Sequence, residues 1–336
     1  MNIVILGSGA WGTAMAVHLN ERGQRVTLVP RRLEQALTIA SERENKVYLP
    51  GIALPNDLQI GYDVGPVLAE CDILIFACPS KALRTAAEHA RDVMPAGTHF
   101  KLMLSICKGL EAGTNFRAEQ VLKEIFPNVP AGTISGPTNA LEIAHHLPVA
   151  AVFASDADDV LAEEIQHAFS SPTFRLYRSN DVAGVELGGS LKNIYAIAAG
   201  ICDGMNLGAN ARASLLTRAI AEMSRIVIAL GGNAETVQGL SGLGDLVATA
   251  TADWSRNRQF GIKIGKQGAQ AAIDAMLAGT SIVEGYYATK NFFEVVKKLN
   301  IQTPILNCVH AIIFENIVPA KAIHALMTRD LKANEK

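Results

Sequence analysis

"NIVILGSGAWGTAMAVHL", residues Asn2–Leu19, decides the fold. Its opening run, Asn2–Leu6, has the length and branched apolar content of a buried strand, and an apolar face at helical spacing follows from about Gly12 to Arg22. Gly7, Gly9 and Gly12 sit at the joint. In such a joint the first glycine permits a tight turn, the second lets backbone approach a pyrophosphate, and the third lets the helix pack closely on the strand. Amides at the helix start, aided by the helix dipole, attract phosphate. Gly7, Ser8, Gly9 and Gly12 are therefore candidate dinucleotide contacts.

The next expected strand, Arg25–Val29, refines the cofactor. It ends in "VTLVPRR", so Pro30, Arg31 and Arg32 stand where an NAD-specific fold usually carries Asp or Glu for the ribose 2′-hydroxyl. A carboxylate repels a 2′-phosphate, whereas a guanidinium pairs with it. NADPH is favoured over NADH, with Arg31 the stronger candidate and Arg32 the weaker. The alternative is that these arginines are solvated surface residues.

Further strands are expected at Asp72–Ala77, Thr98–Ile106, Thr133–Ser135, Pro148–Phe153 and Phe174–Tyr177. Helical spacing fills Ser80–Val93 and Asp156–Phe169 between them. Alternating strands and helices predict a Rossmann-type doubly wound α/β domain over residues 1–179, its strands parallel. Near Ser179-Asn180-Asp181 the pattern changes. Long segments rich in Ala, Leu, Ile and Met follow, including "DVAGVELGGSLKNIYAIAAGICDGM" and "ARASLLTRAIAEMSRIVIALGG", so residues 180–336 are expected to be all-α. Only the tail "RDLKANEK" reads as frayed.

The totals limit the function. A chain of 336 residues exceeds a typical single domain, and 49% hydrophobic residues supply a large core. A net charge of −2 makes no global case for nucleic acid or an anionic membrane as partner. Cys71, Cys78, Cys107, Cys202 and Cys308 are scattered and form no C-x-x-C, which suggests buried thiols in a reducing compartment. With no membrane-length apolar run, and a first strand leaving no room for a signal peptide, a cytoplasmic protein is expected.

Four stretches carry candidate chemistry. "LMLSICKGLE" and "TISGPTNALEIA" run off strand ends, where ligands of open α/β sheets bind, and deliver Lys108, Gly136, Thr138 and Ala140. In "ELGGSLKNIYAIAAGI", Lys192 and Asn193 interrupt a small, apolar helix. A buried ammonium must snorkel, pair or serve a cleft, and burial favours its neutral form. "GLSGLGDLVATATADWSRNRQFG" follows a tight glycine path to Asp245, with Thr249 one helical turn later. Its Ser255-Arg256-Asn257 run offers donors suited to phosphate, while Arg258 reads as a solvated basic residue. His145-His146 lacks partners for a metal site, and His18 reads as a packing residue.

Taken together, "GSGAWGTA", "SICKGLE", "SGPTNA", "ELGGSLKNIYAIAAGICDGMNLG", "GLSGLGDLVATATADWSRNRQFG" and "VEGYYATK" resemble bacterial NAD(P)-dependent glycerol-3-phosphate dehydrogenase, with "YLPGIALP" fitting too. The resemblance runs to about residue 310 with the motifs in order. It implies reduction of dihydroxyacetone phosphate to sn-glycerol 3-phosphate, a phospholipid precursor, without a metal. Lys192 would be the catalytic proton donor. Lys108 would contact substrate and cofactor, and Asp245, Ser255, Arg256 and Asn257 would line the substrate site, Arg256 also near the cofactor. Trp11, Arg31, Ala140, Ile282 and Glu284 would touch NADPH. Thr138-Asn139, Ala248 and Ala250 depart from the commonest family pattern and bear on fine specificity.

The nearest rival is a 3-hydroxyacid or ketopantoate-type dehydrogenase, which shares the layout and a helical-domain lysine. The S-x-N-R cluster beside Asp245 argues against a carboxylate substrate. A non-catalytic NADPH sensor is the other alternative. A homodimer is expected on the prior that two-fold dimers are the commonest assembly.

Overall fold

A computed structural model describes residues 1–279 and 282–329. The chain divides into two units, Met1–Val182 and Ala183–Lys336. Among the described residues of the first unit the strands are β1 (Asn2–Leu6), β2 (Arg25–Val29), β3 (Glu44–Asn45), β4 (Leu49–Ala53), β5 (Gln59–Ile60), β6 (Ile73–Phe76), β7 (Leu102–Ser105), β8 (Ala131–Ser135), β9 (Val149–Ser155) and β10 (Phe174–Ser179). Eight of them form one sheet in the order β10-β9-β8-β7-β6-β1-β2-β5, and β3 and β4 pair separately.

Strand alternation builds two cores from one sheet. Ile3, Ile5, Ile73, Ile75, Leu102 and Leu104 face one layer with Met15 and Leu19 of the helix Ala10–Glu21. Val4, Leu6, Leu74, Phe76 and Met103 face the other with Leu83, Ala87 and Ala90 of the helix Ser80–Val93. Both faces are covered, which is why these strands carry runs of consecutive apolar residues rather than an alternating pattern. Strand order reverses at β1, between β2 and β6, so a crevice opens beyond the carboxyl ends of β1 and β6.

Three expectations need correction. The strand expected from Thr98 starts only at Leu102, where its register with Ile73 of β6 begins. The sheet is not wholly parallel: β9 runs antiparallel to β8, with Gly132 opposite Ser155. The connecting helix, Ala140–Ala144, has 5 residues. It spans only ~7 Å, too little to carry the chain back along a strand for a parallel return. Third, Asp158 rather than Asp156 opens the next helix, its carboxylate accepting from Leu161 N at 2.8 Å.

Among its described residues the second unit has helices joined by short connections and no strand. The helix Val182–Gly204 is buried along nearly its whole length, and Gly208–Ala229 follows it. The helix Arg256–Gln267 crosses Val182–Gly204 with backbone against backbone. A Cβ on Gly200 would strike the Arg258 carbonyl oxygen, and one on Gly261 would strike that of Ile197. Such close approach admits only glycine at the crossing. Of the tail "RDLKANEK", residues 330–336 lie outside the described residues.

Candidate active site

The β1-to-helix joint builds a cradle. Gly7 has φ +117°, and a Cβ there would lie 2.5 Å from the Ala77 carbonyl oxygen. A Cβ on Gly12 would run into the Gly7 carbonyl oxygen, so the helix can sit this close to the strand only with glycine. Gly9 differs, since a Cβ there would meet open space. It is the N-cap of the helix Ala10–Glu21 and supplies no side-chain cap, which leaves the first helical amides to an external acceptor. Trp11 Nε1 is buried without a hydrogen-bond partner at the same helix start. Open space over unsatisfied donors suits a dinucleotide pyrophosphate. Buried Ser8 accepts at its carbonyl from Asn45 Nδ2 at 2.8 Å, which fixes the loop. Arg31 and Arg32 are exposed just beyond β2.

Two other strand ends complete the first unit's candidates. Lys108 is half-buried three residues past β7. Gly136 is buried directly after β8 at φ +147°. Thr138 Oγ1 donates to the Gly136 carbonyl at 3.1 Å. Asn139 Oδ1 accepts from Leu141 N and Glu142 N, both at 3.0 Å, so this departure from the family pattern is the N-cap of the helix that begins at Ala140. His18, as expected, packs: it is buried, its Nε2 lies 2.7 Å from the Phe169 carbonyl, and burial pulls its pKa down.

In the second unit Lys192 does not snorkel. Its side chain is 8% exposed, and Nζ donates to Asp245 Oδ1 at 2.7 Å and to Thr249 Oγ1 at 2.6 Å. The Asp245 carboxylate offsets the cost of burying the ammonium, so the lysine pairs rather than snorkels. One π-helical turn, Leu240–Gly244, presents Asp245. It lies against Gly188, where a Cβ would stand 3.0 Å from the Ser241 carbonyl oxygen. Thr249 follows Asp245 by one turn of the helix Asp245–Thr251 and reaches the same ammonium.

A second network adjoins it in sequence. Asn193 Nδ2 donates to Glu284 Oε2 at 3.2 Å, and Asn193 Oδ1 accepts from Asn257 Nδ2 at 2.8 Å. Asn257 Oδ1 in turn accepts from Gly285 N at 2.8 Å. The glycine crossing described above brings Asn257 to Asn193. Sequence reasoning noted Asn193 as an interruption but left it out of the site, because no local pattern links it to residues 64 and 91 positions away. Ser255 Oγ accepts from Arg258 N at 3.2 Å as the N-cap of Arg256–Gln267. Arg256 is exposed at that helix start, and Ile282 is half-buried before Glu284. Arg258 is not solvated. Its side chain is 12% exposed and bonds Asp203 and Asp253, each at 2.8 Å.

Comparison with known proteins identifies the family. Residues 2–161 match the model of the NAD-dependent glycerol-3-phosphate dehydrogenase N-terminus, and residues 181–324 match that of its C-terminus. The glycerol-3-phosphate dehydrogenase [NAD(P)+] of Syntrophotalea carbinolica is 40% identical over 337 residues, covering 99% of each chain. The crystal structure of glycerol-3-phosphate dehydrogenase from Coxiella burnetii is 36% identical with a TM-score of 0.89, covering 97% of this chain and 98% of that one. A ketopantoate reductase from Ralstonia eutropha shares only the fold, at 17% identity and a TM-score of 0.55. The chain therefore belongs to the NAD-dependent glycerol-3-phosphate dehydrogenase family.

Proposed function

We propose that this enzyme reduces dihydroxyacetone phosphate to sn-glycerol 3-phosphate, with NADPH favoured over NADH, and that the product feeds glycerophospholipid synthesis. The observation that carries this reading is the buried Lys192 ammonium held by Asp245 and Thr249 in a chain of this family. When bound, the nicotinamide cofactor supplies the hydride. Lys192 Nζ holds a proton for the substrate oxygen that gains charge as the carbonyl is reduced, stabilising it and then protonating it. Asp245 and Thr249 orient that ammonium.

Ser255, Arg256 and Asn257 are assigned to the substrate phosphate. Support comes from their place at the start of a 12-residue helix, where amides and dipole favour an anion beside the Arg256 guanidinium. Binding energy spent there positions a distant carbonyl. Lys108, Gly136, Thr138 and Asp245 are assigned to the substrate, and Gly7, Ser8, Gly9, Trp11, Gly12, Arg31, Arg32, Lys108, Ala140, Arg256, Ile282 and Glu284 to the cofactor. A homodimer without nucleic-acid partners, in the cytoplasm, completes the reading. No helix among the described residues is long and apolar enough to cross a membrane.

The test follows reduced-nicotinamide absorbance with dihydroxyacetone phosphate, in parallel with NADPH and NADH and with ketopantoate as control. Oxidation dependent on dihydroxyacetone phosphate is expected. Activity with the keto acid alone would overturn the substrate, and equal efficiency with both cofactors would overturn the NADPH preference.

A further inference from the structure

Two thiols meet beside the dinucleotide cradle. Cys78 Sγ and Cys107 Sγ lie 3.9 Å apart, and both residues are partly exposed. Their positions follow from the sheet register. Phe76 of β6 pairs with Ser105 of β7, and each cysteine lies two residues further on, at the carboxyl end of its strand. Adjacent strands stand about 4.8 Å apart, within the usual Cα separation of bridged cysteines. Cys107 N donates to Ser105 Oγ at 3.1 Å within its own segment, and Cys107 Sγ approaches the Phe76 carbonyl at 3.5 Å across to the other.

Both segments lie next to residues assigned above to the nucleotide, without the cysteines themselves being among them. A Cβ on Gly7 would lie 3.3 Å from Cys78 N, and Ala77 forms the wall against which Gly7 turns. Cys107 directly precedes Lys108. A Cβ on Gly109 would stand 2.8 Å from Ser80 Oγ, so the segments stay in contact beyond the cysteines.

We infer that Cys78 and Cys107 form a reversible disulfide under peroxide, and that closing it lowers NADPH affinity. One sulfur attacks the peroxide, its O–O bond breaks, and a sulfenic acid and one water form. The second thiol then displaces the sulfenic oxygen as a second water. Both thiol protons leave in water, the sulfurs are oxidised, and the peroxide oxygens are reduced. Closure brings the sulfurs to about 2.05 Å, drawing the Ala77 wall and the Lys108 segment together. The neighbouring thiol also protects the first sulfur from irreversible oxidation. The hydrogen bond with Cys107, and burial after it, hold the Cys78 thiol protonated above the usual range.

The inference uses the nucleotide site of the proposed function but not its substrate, and the test separates the two. The purified full-length protein is treated with hydrogen peroxide, and alkylation with peptide mass mapping reports which cysteines are joined. NADPH affinity is read by fluorescence titration, before and after dithiothreitol. A Cys78–Cys107 linked peptide is expected, with NADPH affinity reduced about tenfold or more and restored by the reductant. Cys78→Ser and Cys107→Ser, which cannot form the bridge, should each show the same NADPH affinity before and after the same treatment. Both thiols remaining alkylatable while other residues oxidise would overturn the inference. So would a linked peptide with unchanged NADPH affinity. Turnover of the reduced enzyme with dihydroxyacetone phosphate is measured separately, so a wrong substrate leaves this result standing.

Discussion

Lys192 Nζ and Asp245 Oδ1 meet at 2.7 Å across 53 residues of sequence, both side chains almost wholly buried. This pair ties the proposed proton donor to the π-helical turn that precedes Asp245. Lys192→Ala is expected to lower kcat by about 100- to 10,000-fold, the usual worth of a positioned acid. Asp245→Asn strands the ammonium without its charge partner and should cost about 3–5 kcal/mol of stability, seen in denaturant unfolding. Near-parental turnover in Lys192→Ala would remove Lys192 from proton transfer.

Gly9 and Gly12 have opposite surroundings, and their alanine variants should separate folding from binding. Gly12→Ala forces the helix off the Gly7 carbonyl and should destabilise the protein by about 1–3 kcal/mol. Gly9→Ala meets nothing in the protein, so stability should stay within about 0.5 kcal/mol. Its methyl instead occupies the space proposed for the pyrophosphate, and NADPH affinity should fall. Thermal unfolding and NADPH titration of both variants check the pair of outcomes.

Arg31 is exposed beyond β2, where a 2′-phosphate is proposed to sit. Arg31→Asp should weaken NADPH about tenfold or more beyond any effect on NADH, because a carboxylate repels the phosphate that the guanidinium pairs with. Titration with both cofactors decides, and equal losses would remove Arg31 from that role.

Asn257 joins Asn193 to Gly285 N. Asn257→Ala leaves a buried amide and a side-chain carbonyl without partners, each costing about 1–3 kcal/mol. A lower unfolding midpoint is expected together with a raised KM for dihydroxyacetone phosphate. An unchanged KM in the destabilised variant would leave Asn257 a purely structural link.

Glu222 supplies a pH signature. It is fully buried, accepts from Ile305 N at 3.0 Å and from Leu306 N and Tyr195 Oη at 2.8 and 3.1 Å, and burial pushes its pKa above the ordinary value. Since the folded state binds that proton more tightly than the unfolded state, its contribution to stability is greatest below the unfolded pKa. It falls as pH rises from there through the raised folded value. Melting temperature against pH should show this decline, and Glu222→Gln should flatten it.

How far the fold was legible depends on how local each signal is. The strands Asn2–Leu6 and Arg25–Val29 and the helix Ser80–Val93 match their expected bounds, because periodicity and end signals lie within each segment. Lys192 stood out because an ammonium in a small apolar helix violates its surroundings. Its partners required more. Asp245 arrives only because the glycine-thinned helix admits the Ser241 backbone, and Asn257 only because two helices cross at Gly200 and Gly261. The Cys78–Cys107 encounter depends on β6 and β7 lying adjacent in register, and the reversed direction of β9 on a connection too short for a crossover. The sequence alone determined the glycine joint, the α/β-to-helical change and the type of residue able to do the chemistry. Only the tertiary structure decided which distant groups touch, because those contacts depend on how elements stack, and no local spacing encodes that.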